Sequence, residues 1–311
     1  MRIWRSLEEV PADLGRTAVV IGNFDGVHRG HRHVLGRARE VADAQGLLLV
    51  AVTFDPHPMA VLRPEHAPSM LSHVEDRAAL LADAGADDVL ALPFDRDVAS
   101  WTPEEFVRRV LVDALHASAV VVGANFRFGH RAAGDVSTLV AAGKEHGFTA
   151  EGIALEGGPQ VWSSTYVRTC LAAGDVEGAA EALGRPYAVR GVVVEGDHRG
   201  RELGFPTANV PPDDLAVPAD GVYAGRLRVL DADPEALPAA ISVGTNPTFA
   251  GERARRVEAY VLDRDDLELY GRTVEISFVA RIRGMVRFDS VDDLVATMHD
   301  DVTKAREVLG A

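Results

Sequence analysis

The chain has 311 residues, 47% of them hydrophobic, and a formal charge of -15 at neutral pH. That length exceeds the usual single domain of roughly 100 to 200 residues, so two domains with substantial cores are expected. The acidic balance argues against nucleic-acid or membrane partners, which are held by summed cationic contacts, and leaves any phosphate ligand to glycine-rich turns, helix N-termini and individual histidines or arginines.

No uncharged apolar run approaches the ~18 residues that span a bilayer, and Arg2, Arg5, Glu8 and Glu9 break up any signal-peptide core, so the protein reads as soluble and cytoplasmic. The single cysteine, Cys170, can form no internal disulfide and reads as a small apolar helix residue. A homo-oligomer is compatible with all of this.

From Thr17 to about Gly184, short β-branched runs alternate with helix-period segments. Thr17 to Ile21, Leu47 to Phe54, Asp88 to Leu92 and Ala119 to Val122 are apolar on successive residues, as strands buried on both faces are. Helices are predicted over Arg32 to Ala44, Val74 to Ala84, Pro103 to Leu115 and Val136 to His146, with two more at Thr165 to Ala172 and Val176 to Leu183. This repetition predicts a doubly wound parallel sheet. Past Gly184-Arg185-Pro186, strands predominate: Tyr187 to Val194, Val222 to Leu230, Val257 to Leu262 and Thr273 to Ile282. In the last, Val274, Ile276, Phe278, Ala280 and Ile282 share one face. Asp231 to Pro238 reads as an exposed loop, and a closing helix starts at a capping box of Ser290 and Asp293. The expected organisation is α/β plus β: a parallel-sheet domain over 1–184 and a small antiparallel barrel with a C-terminal helix over 185–311.

The string Gly22-Asn23-Phe24-Asp25-Gly26-Val27-His28-Arg29-Gly30-His31 follows the first of these strands and precedes the first helix, at the strand end where ligands settle in a parallel sheet. Gly22 and Gly26 permit a tight turn, and His28 and His31 can point at one phosphate beside free backbone N–H groups. Adenylyl transfer needs donors aimed at charge growing on the α-phosphate and no protein nucleophile, which fits this pair. Alone, the histidines read equally as a polar helix face. Thr53-Phe54-Asp55-Pro56-His57-Pro58 ends the second strand, its prolines stiffening the loop. Gly123 to Gly129 offers an amide, a cation and two aromatic faces to a planar, anionic ligand. Ser163-Ser164-Thr165-Tyr166-Val167-Arg168 opens a helix whose hydroxyls and N–H groups suit phosphates.

In the second half, Gly196, Gly200 and Gly204 interleave with Arg199 and Arg201, a backbone that can wrap phosphates while cations offset their charge. Thr207 and Asn209, on one face of an extended segment, present hard oxygens suited to Mg²⁺ that otherwise keeps water and nucleotide ligands.

The string GNFDGVHRGH resembles the HxGH signature of Rossmann-like nucleotidylyltransferases and, as FDGVHxGH, the FMN adenylyltransferase module of bacterial bifunctional riboflavin kinase/FAD synthetases. Pro206-Thr207-Ala208-Asn209, Gly221 to Gly225, Ser242 to Phe249, Val257-Glu258-Ala259-Tyr260 and Leu269-Tyr270-Gly271 resemble, in order, the riboflavin kinase module. The resemblance implies a six-stranded Greek-key barrel in the second half and two Mg²⁺-requiring reactions with ATP as co-substrate and FMN and FAD as products. It implies His28, His31 and Glu258 as catalytic residues, with Glu258 as general base. It assigns ATP to Gly22, Phe24, Asp25, Asn125, Ser164, Thr165, Arg168, Gly196, Arg199, Gly200, Arg201 and Thr207. Phe54, His57 and Phe128 take flavin, and Thr207 and Asn209 the metal. One departure is that Val161 and Trp162 stand where many relatives carry a basic residue before Ser-Ser-Thr. The alternatives are a nucleotidylyltransferase of another phosphate substrate, such as pantetheine phosphate or nicotinamide mononucleotide, against which the attached kinase module argues, and a non-catalytic flavin-binding regulator.

Overall fold

A computed structural model describes residues 1–154, 162–196, 204–231, 235–245, 255–264 and 266–311; Val161, Arg199, Gly200 and Arg201 lie outside them. The chain divides into two compact units, Met1–Ser163 and Ser164–Ala311.

The first unit carries strands β1 (Ile3–Trp4), β2 (Thr17–Ile21), β3 (Leu48–Asp55), β4 (Asp88–Pro93), β5 (Ala117–Gly123) and β6 (Thr149–Ile153). They form one parallel sheet in the order β1-β4-β3-β2-β5-β6. Helices α1 (Arg29–Gln45), α2 (Pro58–Leu62), α3 (Val74–Asp83), α4 (Pro103–Phe106, continuing in π-type turns over Val107–Ala114) and α5 (Val136–His146) connect them. Every residue of β2 is buried because the sheet is covered on both sides. Val19, Ile21, Val50, Val52, Val120 and Val122 pack with Phe106, Leu111 and Leu139 of α4 and α5. Ala18, Val20, Leu49, Ala51 and Val121 pack with Val34, Leu35, Ala38, Ala78 and Leu81 of α1 and α3. The strand order reverses at β2, and in open parallel sheets ligands settle at such a switch point, beyond the carboxyl ends of the strands.

The second unit opens with helices α6 (Ser164–Ala173) and α7 (Val176–Leu183). Strands β7 (Tyr187–Val192), β8 (Ala208–Val210), β9 (Gly221–Val229), β10 (Ala236–Thr245), β11 (Arg255–Val261) and β12 (Thr273–Gly284) follow, and α8 (Val291–Leu309) closes the chain. The strands form a six-stranded antiparallel sheet in the order β7-β12-β9-β10-β11-β8. It curls until Val194, just past β7, bridges to Asn209 of β8, with the Val194 N–H donating to the Asn209 carbonyl at 2.9 Å. Tyr187, Val189, Tyr223, Leu227, Ile241, Val243, Val257, Val274, Ile276 and Phe278 are all buried and supply the core.

Three sequence expectations are corrected here. The loop expected over Asp231 to Pro238 gives way at Ala236, where β10 begins. Pro238 is tolerated because its carbonyl accepts from Leu262 N–H on the β11 side, past the last β11 pair, Ala239 with Val261; the missing N–H faces that same side, so no bond to β9 is lost. In β12 the alternation breaks after Phe278, because bulges shift the register between Phe278 and Ala280 and again between Arg281 and Arg283. Ala280 and Ile282 therefore leave the core face, and Ile282 packs toward Ala305 of α8. Ser290 caps α8 by accepting from Asp293 N–H at 3.1 Å, but there is no reciprocal box: the shorter Asp293 carboxylate accepts from the Ser290 hydroxyl instead.

Candidate active sites

In the first unit the loop after β2 turns back on itself through three left-handed residues, Phe24 (φ 49°), Gly26 (φ 77°) and Val27 (φ 42°). For Phe24 and the β-branched Val27 this conformation costs on the order of 1–3 kcal/mol each, so the surroundings must enforce it. They do so with buried polar contacts. The Asp25 carboxylate, 1% exposed, accepts from the backbone N–H groups of Leu71 (3.0 Å) and Ser72 (3.1 Å), and Gly26 N–H donates to Ser72 Oγ at 3.1 Å. Gly22 leaves room for the Phe24 ring, since a Cβ there would sit 3.1 Å from it.

The loop delivers His28 as the N-cap of α1, its Nδ1 accepting from His31 N–H at 3.3 Å, which leaves Nε2 to carry the proton. The His31 ring stacks on His28 with centroids 3.6 Å apart. Burial pushes the His31 imidazole well below the ordinary histidine value, and the neighbouring His28 and Arg77 act the same way. His31 thus stays neutral when folded, whereas the unfolded chain takes up its proton below about pH 6.5. Stability contributed by neutral His31 is therefore lost as pH falls through that region, and urea midpoints measured from about pH 7 to 5 should decline more steeply for wild type than for His31→Asn. Gly30, absent from the expected site residues, sits in a tight space: a Cβ there would lie 3.2 Å from both the His28 ring and the Trp162 carbonyl.

Around this pair, His57 caps α2 by accepting from Met59 N–H at 3.2 Å and reaches the Asn23 amide at 3.3 Å. Phe54 is buried against Phe94. Beyond β5, Asn125 is exposed, whereas Phe128 is 6% exposed, between Phe106 and Phe126. Ser164, Thr165 and Arg168 begin α6 in the second unit.

The second unit encloses a cavity of about 670 Å³. Five residues, one from each of five adjacent strands, stand side by side along its wall: Arg283, Val222, Ser242, Glu258 and Asn209 are successive cross-strand partners. The two β12 bulges bring Arg283 into this row, where it forms a bidentate pair with the buried Asp301 of α8 at 2.6 and 2.8 Å. Thr207 lies beside Asn209, whose Nδ2 donates to the Thr207 carbonyl at 3.3 Å. Gly196 is closed against the same side chain, because a Cβ would sit 2.4 Å from Asn209 Nδ2. Leu269, Val286, Phe288, Leu294, Met298 and Val302 supply apolar lining to the same cavity. Sequence reasoning named Ser242 only within a motif and gave it no role, and missed Arg283 and Asp301, since only strand register and the docking of α8 bring them here.

The FAD synthetase family matches residues 10–165 and the riboflavin kinase family residues 183–309. The bifunctional riboflavin kinase/FMN adenylyltransferase of Escherichia coli K12 is 40% identical over 294 residues, covering 94% of this chain and 92% of that protein. The chain belongs to the bifunctional riboflavin kinase/FMN adenylyltransferase family. Proteins of the same description from Pseudomonas fluorescens and Bacillus subtilis are 38% and 32% identical, over 98% and 95% of this chain and 97% and 93% of their own lengths. A crystal structure described as a macrolide-efflux protein from Streptococcus pneumoniae matches with a TM-score of 0.84 and 31% identity over 98% of each chain. Among the described residues of the present chain, no helix is long and apolar enough to cross a membrane. As a family member, the protein is an ATP-dependent transferase of two activities, riboflavin kinase and FMN adenylyltransferase.

Proposed function

We propose that residues 1–184 adenylylate FMN to FAD and residues 185–311 phosphorylate riboflavin to FMN. The observation that carries this reading is that each family match contains its own prepared site: 10–165 holds the His28–His31 pair at the strand switch point, and 183–309 holds the cavity with Glu258. In the first reaction an FMN phosphate oxygen attacks the ATP α-phosphorus and pyrophosphate leaves. His28 Nε2–H and the His31 ring meet the charge that builds on the α-phosphate, with Asn125 as a further nucleotide contact and His57, Phe54 and the Phe126–Phe128 stack facing the flavin. The buried Asp25 acts through the backbone it holds.

In the second reaction Glu258 accepts the proton of the ribityl 5′-hydroxyl as that oxygen attacks the γ-phosphorus of ATP and ADP leaves. Thr207, Asn209 and Glu258 supply hydroxyl, amide and carboxylate oxygens. Among the described residues there is no cluster of three His, Cys, Asp or Glu to cage an ion. That donor set fits Mg²⁺, which keeps waters and nucleotide oxygens and neutralises phosphate charge when bound. A cytoplasmic location, with riboflavin, FMN and ATP as the partners, belongs to the same proposal.

Incubating the protein with riboflavin, ATP and Mg²⁺ and separating the flavins should show FMN and then FAD; absence of both from folded protein would exclude the reading. Gly196→Ala should push Asn209 from its position and lower FMN formation ~10²-fold while sparing FAD formation from supplied FMN. The fragment Ser164–Ala311 should retain the kinase activity. It should also resist urea better than 187–311, because α7 buries Val176, Ala179, Ala182 and Leu183, the Leu171 carbonyl accepts from Ala219 N–H (2.8 Å), and the Ala173 carbonyl accepts from Arg281 (3.2 Å).

A further inference from the structure

Arg77 of α3 belongs to none of the motifs, yet it is 2% exposed, a cation sealed inside the first unit. A buried guanidinium carries a desolvation cost that an apolar side chain of similar length would avoid, so its contacts bear on why it is there. Its Nη1 donates to Thr53 Oγ1 and to the Phe54 carbonyl, both at 3.1 Å, and its Nη2 donates to the Ser72 carbonyl at 3.2 Å and stands 3.9 Å from Asp25 Oδ1. Thr53 Oγ1 passes the contact on by donating to the Asn23 carbonyl at 2.9 Å. Ser72 passes it on through its own N–H to Asp25 (3.1 Å) and its Oγ to Gly26 N–H (3.1 Å). One planar fork thereby ties the end of β3 and Ser72, two residues before α3, to Asn23 at the start of the left-handed turn and to Asp25 and Gly26 within it.

We infer that Arg77 is a positioning residue for adenylyl transfer, a buried clamp that holds the turn Phe24–Val27 and through it the aim of His28 and His31. The turn disfavours its own conformation at Phe24 and Val27, so it depends on an enclosure that admits no other, and the clamp network is that enclosure. The geometry is specific to arginine: three acceptors and a carboxylate lie around one plane, which an ammonium cannot reach together. The charge has a second effect. His31 stacks on the His28 ring, and the positive charge of Arg77, whose own counter-ion is Asp25, adds to burial in keeping His31 neutral.

This inference rests on the adenylyl-transfer reading above, and its test separates the two. In Arg77→Met, kcat for FAD formation from FMN and ATP should fall ~10²-fold, as for a misplacement of about 1 Å. KM for ATP should change less than ~3-fold. Riboflavin phosphorylation should stay at the wild-type rate. In the ligand-free protein, NMR titration of the histidines should show His31 moving upward in Arg77→Met and staying low in Arg77→Lys, which keeps the charge without the fork; Arg77→Lys should nonetheless lose most of the kcat. If Arg77→Met does not fold, Thr53→Val, which removes only the hydroxyl between the guanidinium and Asn23, should lower kcat ~10-fold. Wild-type kcat in the folded variants, or equal loss of both activities, overturns the clamp. Wild-type protein that forms no FAD overturns the functional reading instead, and unchanged backbone amide shifts of Phe24–Val27 in folded Arg77→Met then still overturn the clamp, since that measurement needs no substrate.

Discussion

His28→Ala or His31→Ala should abolish most FAD formation and leave riboflavin phosphorylation at its normal rate. Loss of one preorganised donor to transition-state charge costs ~10²- to 10³-fold in turnover. The two rings act as a unit, stacked 3.6 Å apart with the His31 N–H bonded to His28, so the double replacement should be hardly worse than either single one. His28→Ala also removes the N-cap of α1, and a cap contributes roughly 0.5–2 kcal/mol. His28→Asn, which can cap but offers no imidazole, separates the effects: it should restore the urea midpoint without restoring FAD. Parallel measurement of both activities on the same preparation is the check, and equal loss of the two in a folded variant would contradict their assignment to separate units.

Glu258→Gln should reduce FMN formation ~10²- to 10⁴-fold, because it keeps the size and much of the hydrogen bonding of the side chain but removes the basic carboxylate. The cavity should survive, since Glu258 stands between Asn209 and Ser242 in a ladder that backbone pairing maintains. Riboflavin binding, followed by quenching of its fluorescence, should therefore change little, and FAD should still form from supplied FMN at close to the normal rate. A folded Glu258→Gln protein with normal kinase activity would leave the positioning of ATP by Thr207 and Asn209 as the main source of rate enhancement.

Much of both folds was legible in the residues. Strands β2 to β5 show as continuous apolar runs because a parallel sheet covered on both faces buries every side chain, and α5 and α7 fall at their predicted bounds. Strands β1 and β6 were not seen, since two residues carry no periodicity and the sequence TAEGI, with Glu and Gly, lacks the apolar run of a buried strand. β10 was not read as a strand, and its start was taken for a loop because Asp and Pro precede it and a proline at the edge of a ladder looks in sequence like a proline in a loop.

The sequence by itself determined where the chemistry-bearing motifs lie, because glycines, prolines and histidines clustered just past a buried strand mark a turn that carries polar groups, and that pattern is complete within a few residues. Tertiary structure alone decided which distant groups serve those motifs. Arg77 reaches the histidine turn from α3, the bulges of β12 carry Arg283 to the wall that holds Glu258, and α6 and α7, which continue the helical texture of the first half, group with the barrel. Each depends on register, a bulge or helix docking between segments far apart in the chain, and a local pattern cannot encode a contact whose partner it does not contain.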